Sequence, residues 1–110
     1  MRKALVVGGA NGIGLSIASE LVNRADVEKV YIVDKASLAE EFANEKFETY
    51  QFDLTQEDYS IFDKFQDVDT LMVTAGFGRL ALFKDVDEGM IPLGFNVNTI
   101  PVMRIIKRFY

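Results

Sequence analysis

Four glycines, Gly8, Gly9, Gly12 and Gly14, fall within seven positions of the stretch KALVVGGANGIGLSIA at residues 3–18, with the small Ala10 among them. Glycine gives a core nothing to bury and loses the most freedom on ordering, so this density points to backbone that bends tightly or lets something come close. Between a strand and a helix, such a turn offers unpaired N–H groups and the positive end of the helix dipole, which together suit a pyrophosphate. Side chains on Gly12 or Gly14 would obstruct either the phosphate or the packing of helix on strand. A tight turn and nothing more is the plainer reading of the glycines alone. Asp34, about 20 residues beyond them, tips the balance, because an acid there accepts hydrogen bonds from the ribose hydroxyls of an adenosine. Its carboxylate would repel a 2′-phosphate, so NAD is favoured and NADP disfavoured, with Lys35 as the cation that would reverse the preference if Asp34 turned away.

The elements that must position these residues can be read from periodicity. KALVVG at 3–8 is a short apolar run suited to a strand buried on both faces, and Ile13, Ile17, Leu21 and Val22 then recur at helical spacing. VEKVYIVD at 27–34 is a second strand, followed at 37–47 by a helix-like stretch opened by Ser37 with Glu40 three residues on, the signature of a capping box. FETYQFDL at 47–54 alternates as a third strand, and Thr55 caps a helix carrying Tyr59, Phe62 and Phe65. DTLMVTAG at 69–76 is the fourth strand, and the stretch from about Asp87 to Tyr110 reads mostly as helix, bent or interrupted at Pro92 and Pro101. Strands alternating with helices imply right-handed crossovers. The fold class is therefore α/β, a doubly wound Rossmann-type parallel sheet in the order 3-2-1-4 with flanking helices.

Composition narrows the function further. With 110 residues, 49% of them hydrophobic, the chain supports one domain spanning residues 1–110 and not two. A net charge of −5, spread along the sequence, offers no footprint for nucleic acid or an anionic membrane surface. The absence of cysteine and histidine excludes disulfides, zinc sites of the usual kind and any mechanism using a Cys or His nucleophile or base; no metal site is expected. The amino-terminal apolar run, Ala4 to Val7, is too short for a signal peptide, and no stretch approaches the ~20 apolar residues of a membrane span, so a cytoplasmic location is expected.

VGGANGIG resembles the first motif of the short-chain dehydrogenase/reductase family, Thr-Gly-x-x-x-Gly-x-Gly, with Gly8, Gly12 and Gly14 in the glycine positions and Val7 where threonine is usual. Asn11 at the position where extended members carry a glycine points to the classical type, and Ile13 between the last two glycines is typical. DL at Asp53 and Leu54 is similar to the family's adenine-binding Asp and the residue whose N–H contacts the ring. TAG resembles the Asn-Asn-Ala-Gly motif, with Ala75 and Gly76 kept and Val73 and Thr74 in place of both asparagines. FNVNT resembles the middle of the family's long fourth helix, where Asn98 matches the asparagine of the proton relay. The resemblance, which covers the entire chain, together with the reading of Asp34 and Lys35 above, implies cofactor contacts from Gly8, Asn11, Gly12, Ile13, Gly14, Asp34, Lys35, Asp53, Leu54, Ala75 and Gly76. It assigns a catalytic role to Asn98 and implies hydride transfer between a nicotinamide dinucleotide and a carbonyl or alcohol.

The family's catalytic serine and Tyr-x-x-x-Lys pair, which lie after a fifth strand, have no counterpart in these 110 residues. Tyr31 and Lys35 match the spacing only by accident, since side chains four apart on a strand stand about 13 Å from each other, whereas a helix brings them together. The expected function is thus the dinucleotide-binding part of such an oxidoreductase, with a freestanding, non-catalytic NAD-binding or regulatory protein as the alternative. A fourth strand and a last helix without the neighbours that the family fold gives them predict a homo-oligomer through one or both.

Overall fold

β1 (Arg2–Val7), β2 (Val27–Asp34), β3 (Phe47–Gln51) and β4 (Thr70–Val73) pair in parallel as one sheet in the order β3-β2-β1-β4. This is the order expected from the alternation of elements. The computed structural model describes residues 2–74, 88–89 and 100–109. Leu5 stands opposite Tyr31 and Leu71, and Val7 opposite Val33 and Val73, so the sequence pattern is in register across the central strands. Successive side chains leave a strand on opposite faces, and here both faces are covered. Leu5, Val7 and Val33 bury themselves with Phe52, Tyr59, Phe62, Phe65 and Ile105 on one side; Val6, Val30 and Ile32 meet Ala10, Ala18 and Val27 on the other.

Helix α1 (Gly12–Val22) lies on the second face and meets it through Gly14 and Ala18, its two buried residues, spaced by one turn. Small residues at that spacing let the helix come close to the sheet. The stripe expected from Ile13, Ile17, Leu21 and Val22 is therefore displaced: Ile17, Leu21 and Val22 are only half-buried, and Ile13 is 76% exposed in the first turn.

Two other segments depart from their sequence reading. The helix expected over 37–47 is a single 3₁₀ turn, Glu40–Phe42, flanked by extended backbone at Ala39 and Ala43. Ser37 does not cap it; its hydroxyl accepts a hydrogen bond from Gln51 Nε2 at 2.8 Å, and Asn44 Oδ1 accepts the Lys46 N–H at 2.9 Å, turning the chain into β3. Residues 55–65 form a 3₁₀ helix only from Ser60 to Phe65, because Thr55 bonds back to Asp53 instead of capping forward. Tyr59, Phe62 and Phe65 are nonetheless buried as expected; their spacing of three suits a 3₁₀ helix, in which such positions eclipse.

β3 and β4 each end earlier than the sequence pattern suggests, at Gln51 and Val73. Helix α2 (Ile100–Phe109) packs Ile105, fully buried, and Phe109 against the 3₁₀ aromatics. Pro101 is buried, and the backbone is helical from Ile100 to Phe109; the turn before Pro101, which its ring would bend, lies outside the described residues. Pro92, where a bend was expected, lies outside the described residues.

Candidate functional site

The carboxyl ends of the four strands converge on the glycine turn. The Gly8 N–H donates to Val33 O at 2.7 Å, the Thr74 N–H to Val7 O at 2.8 Å and the Phe52 N–H to Asp34 O at 3.0 Å, which ties the ends of β1, β2, β3 and β4 into one rim. A cavity of about 440 Å³ opens on that rim, lined by Gly8, Asn11, Gly12, Ile13, Gly14, Asp34, Lys35, Asp53 and Leu54, together with Val7, Val33, Phe52 and Thr74. Ligands of open α/β sheets bind outside the carboxyl ends of the strands. A hollow of about 500 Å³ beside β3, lined by Ile32, Ser37, Thr49 and others, is of similar size but gathers no comparable set of groups.

Within the turn the glycines have different reasons to be glycine. Gly8 and Gly12 have φ of 91° and 57°, in the left-handed region that a side chain disfavours. A Cβ on Gly14 would overlap the carbonyl oxygen of Gly8 and come within 2.5 Å of Thr74 Oγ1, so α1 seats directly on the end of β1. Beside Gly12, apart from its chain neighbours and its own helix backbone, no atom of the described residues lies within 4 Å of the same construction. The two obstructions that the sequence reading offered jointly for Gly12 and Gly14 thus divide: Gly14 serves packing, and Gly12 borders open space. Asn11 precedes α1 in extended conformation and makes no side-chain cap, leaving the first-turn N–H groups without that partner.

Asp34 is half-buried at the end of β2, and each of its oxygens already has a backbone partner. Oδ2 accepts the Ala10 N–H and Oδ1 the Ala36 N–H, both at 3.0 Å. The carboxylate is fixed in orientation, with remaining lone pairs for further donors. Lys35 extends instead toward Asp53, its Nζ 3.7 Å from Oδ2 and its side chain 80% exposed. Asp53 Oδ1 accepts both the N–H and the hydroxyl of Thr55, at 2.9 and 2.6 Å. These two bonds, ahead of the Lys35 ammonium, hold its carboxyl below the usual carboxylate range.

The structure therefore brings together all nine of the expected cofactor-contact residues that it describes; Ala75, Gly76 and Asn98 lie outside the described residues. Tyr31 and Lys35 serve separate places, Tyr31 packing on Phe65 and donating to Asp67 Oδ2 at 3.4 Å while Lys35 faces Asp53. Sequence reasoning missed Thr74, which it treated only as a departure from a motif. Its hydroxyl, 3.1 Å from Val7 O and 3.3 Å from Gly8 O, donates to that end of β1 and walls the cavity. Phe52, which lines the same space, was legible only as an alternating strand residue. Among the described residues no group of acidic, His or Cys side chains could hold a metal ion, and no helix is long and apolar enough to cross a membrane.

A family profile described as short chain dehydrogenase matches residues 2–110. Among solved structures, a short chain dehydrogenase/reductase family protein superposes with a TM-score of 0.87 at 25% identity, covering 98% of this chain and 48% of that one. A bulky-bulky ketone specific alcohol dehydrogenase from Comamonas testosteroni gives 0.82 at 22% identity, covering 99% and 48%. An NADPH-bound carbonyl reductase from chicken fatty liver gives 0.80 at 19%, covering 99% and 47%. The chain thus spans about half the length of the structures it matches. No curated protein matches it.

Proposed function

Because the chain belongs to the short-chain dehydrogenase family, we propose that residues 1–110 form the dinucleotide-binding part of an oxidoreductase, working in the cytoplasm with NAD. One observation carries the reading: a single cavity collects the glycine turn, Asp34 and the Asp53–Leu54 pair from the ends of three different strands. In this reading the first-turn N–H groups of α1 and the open side of Gly12 take the pyrophosphate. Asp34 accepts the adenosine ribose hydroxyls, and Asp53 with Leu54 meets the adenine. The nicotinamide, when bound, supplies or accepts a hydride for a carbonyl or alcohol partner. Ala75, Gly76 and Asn98 enter through their family motifs alone, Asn98 as the relay asparagine.

Two features support NAD over NADP. The pair of backbone bonds on Asp34 keeps its charge where a 2′-phosphate would sit, and Lys35 is drawn toward Asp53. The test is calorimetry with NAD and ADP-ribose on the wild type and on Gly12→Ala. The wild type is expected to bind both. The added methyl is expected to weaken binding at least about tenfold, because it intrudes where only a ligand would be, while its left-handed φ costs about 1–2 kcal/mol of stability. Unchanged affinity in the variant, or no binding by the wild type, would overturn the reading.

A further inference from the structure

The turn at residues 53–57, which forms the base end of the cavity, is held from two sides. On the inner side, the N–H and hydroxyl of Thr55 both occupy Oδ1 of Asp53, leaving Oδ2 as the oxygen on the Lys35 side. On the outer side, Arg104 of α2 donates from Nη1 to Gln56 O at 3.2 Å and from Nη2 to Glu57 O. The same guanidinium lies 3.7 Å from the ring centroid of Tyr59, and the buried Tyr59 hydroxyl donates to Leu54 O at 2.5 Å. A planar fork that bridges two successive carbonyls and stacks on a ring at once is a geometry lysine cannot reproduce. Arg104 thus reaches 47 residues back along the chain to fix the backbone that carries Asp53.

A carboxylate with one oxygen locked presents the other as a pure acceptor in a defined direction. It attracts a purine bearing a 6-amino donor and repels one bearing a 6-oxo acceptor. Resting on the dinucleotide reading above, we propose that Thr55 and Arg104 are positioning residues that set the base selectivity of the pocket, Thr55 by orienting the Asp53 carboxylate and Arg104 by bracing its turn from α2.

The experiment compares dissociation constants of NAD and nicotinamide hypoxanthine dinucleotide, in which the 6-amino donor becomes a 6-oxo acceptor and N1 gains a proton. The wild type is expected to favour NAD about tenfold or more, the worth of one hydrogen bond to a charged acceptor. Thr55→Ala, which keeps the N–H bond on Oδ1 but loses the shorter hydroxyl bond, is expected to narrow the ratio at least about threefold and Thr55→Ser to restore it. Arg104→Ala is expected to narrow the ratio as well; Arg104→Lys, which keeps a cation by Tyr59 but cannot bridge both carbonyls, falls between and serves if the alanine variant does not fold. Parallel weakening of both dinucleotides with the ratio intact would mean a general structural role and overturn the proposal. A shift with Thr55→Ala but none with either Arg104 variant would remove the brace from α2. Equal binding of both dinucleotides by the wild type overturns this proposal and leaves the pocket reading standing, whereas no binding of either overturns both.

Discussion

Asp34 shows how a residue's role depends on what already occupies it. Two backbone N–H groups hold its oxygens, and in the proposed reading these bonds keep it in place against a 2′-phosphate. Asp34→Ala is expected to weaken NAD about tenfold or more through the lost charged hydrogen bonds, while NADP holds steady or gains from relieved repulsion. The ratio of the two dissociation constants checks this, and a wild type that prefers NADP would refute it. Asp53 stands beside it with a different constraint. Its depressed carboxyl contributes stability above the unfolded value and loses it only as pH falls through the lower folded one, so it stays an acceptor at any working pH. Thr74 completes the set: where the family motif has an asparagine, its hydroxyl donates toward the carbonyls of Val7 and Gly8 from just past the end of β4.

The 3₁₀ helix Ser60–Phe65 and the strands beneath it form an aromatic layer, with Phe52 edge-on to Tyr59 at 5.2 Å and to Phe62 at 5.6 Å, and Tyr31 against Phe65 at 4.9 Å. Burial, first among the causes, pushes the phenols of Tyr31, Tyr50 and Tyr59 up from their ordinary value. A tyrosine whose folded value lies above its unfolded one contributes fully below the unfolded value and loses that contribution as pH rises through the folded one. Lys3, raised by its bond to Asp67, acts in the same direction. Melting temperature is therefore expected to hold through about pH 9 and fall beyond about pH 10, with tyrosinate absorbance lagging until the fold gives way. Tyr31, Tyr50 and Tyr59 titrating freely in the intact fold would contradict this. The same layer shows what could be read from the chain. Strand identities and the buried Tyr59, Phe62 and Phe65 followed from apolar periodicity, since burial on two faces leaves a strong imprint, and strand order followed from the alternation of strands with helical stretches. The segment 37–47 did not follow, because Ser37 and Asn44 spend their side chains on Gln51 and the Lys46 N–H, partners that sequence spacing does not reveal. In the site, residue types at motif positions were legible, while the bracing by Thr74, Thr55 and Arg104 depended on distant carbonyls.

At the scale of the whole molecule, β4 pairs only with β1 among the described residues, and its four residues are half-buried. Nearby on α2, Ile100, Met103 and Ile106 form a stripe at 43%, 67% and 42% exposure, opposite the buried Pro101 and Ile105. An open strand edge and an apolar helical stripe favour association. The 110-residue chain is accordingly expected to form a dimer or larger assembly in sedimentation equilibrium, and Met103→Glu to shift it toward monomer; a monomer at every concentration would refute this. The topology also imposes an order in time. Thr74 reaches the carbonyls of Val7 and Gly8 across 67 and 66 positions of chain, and Arg104 reaches the 53–57 turn across 47, so the cavity beside the glycine turn is completed and braced by distant segments. Contacts of such separation form late in folding, after the loop-closure entropy has been overcome. A nascent chain therefore carries its glycine motif without a finished cavity until residue 74 has emerged, and without the brace on the 53–57 turn until residue 104 has.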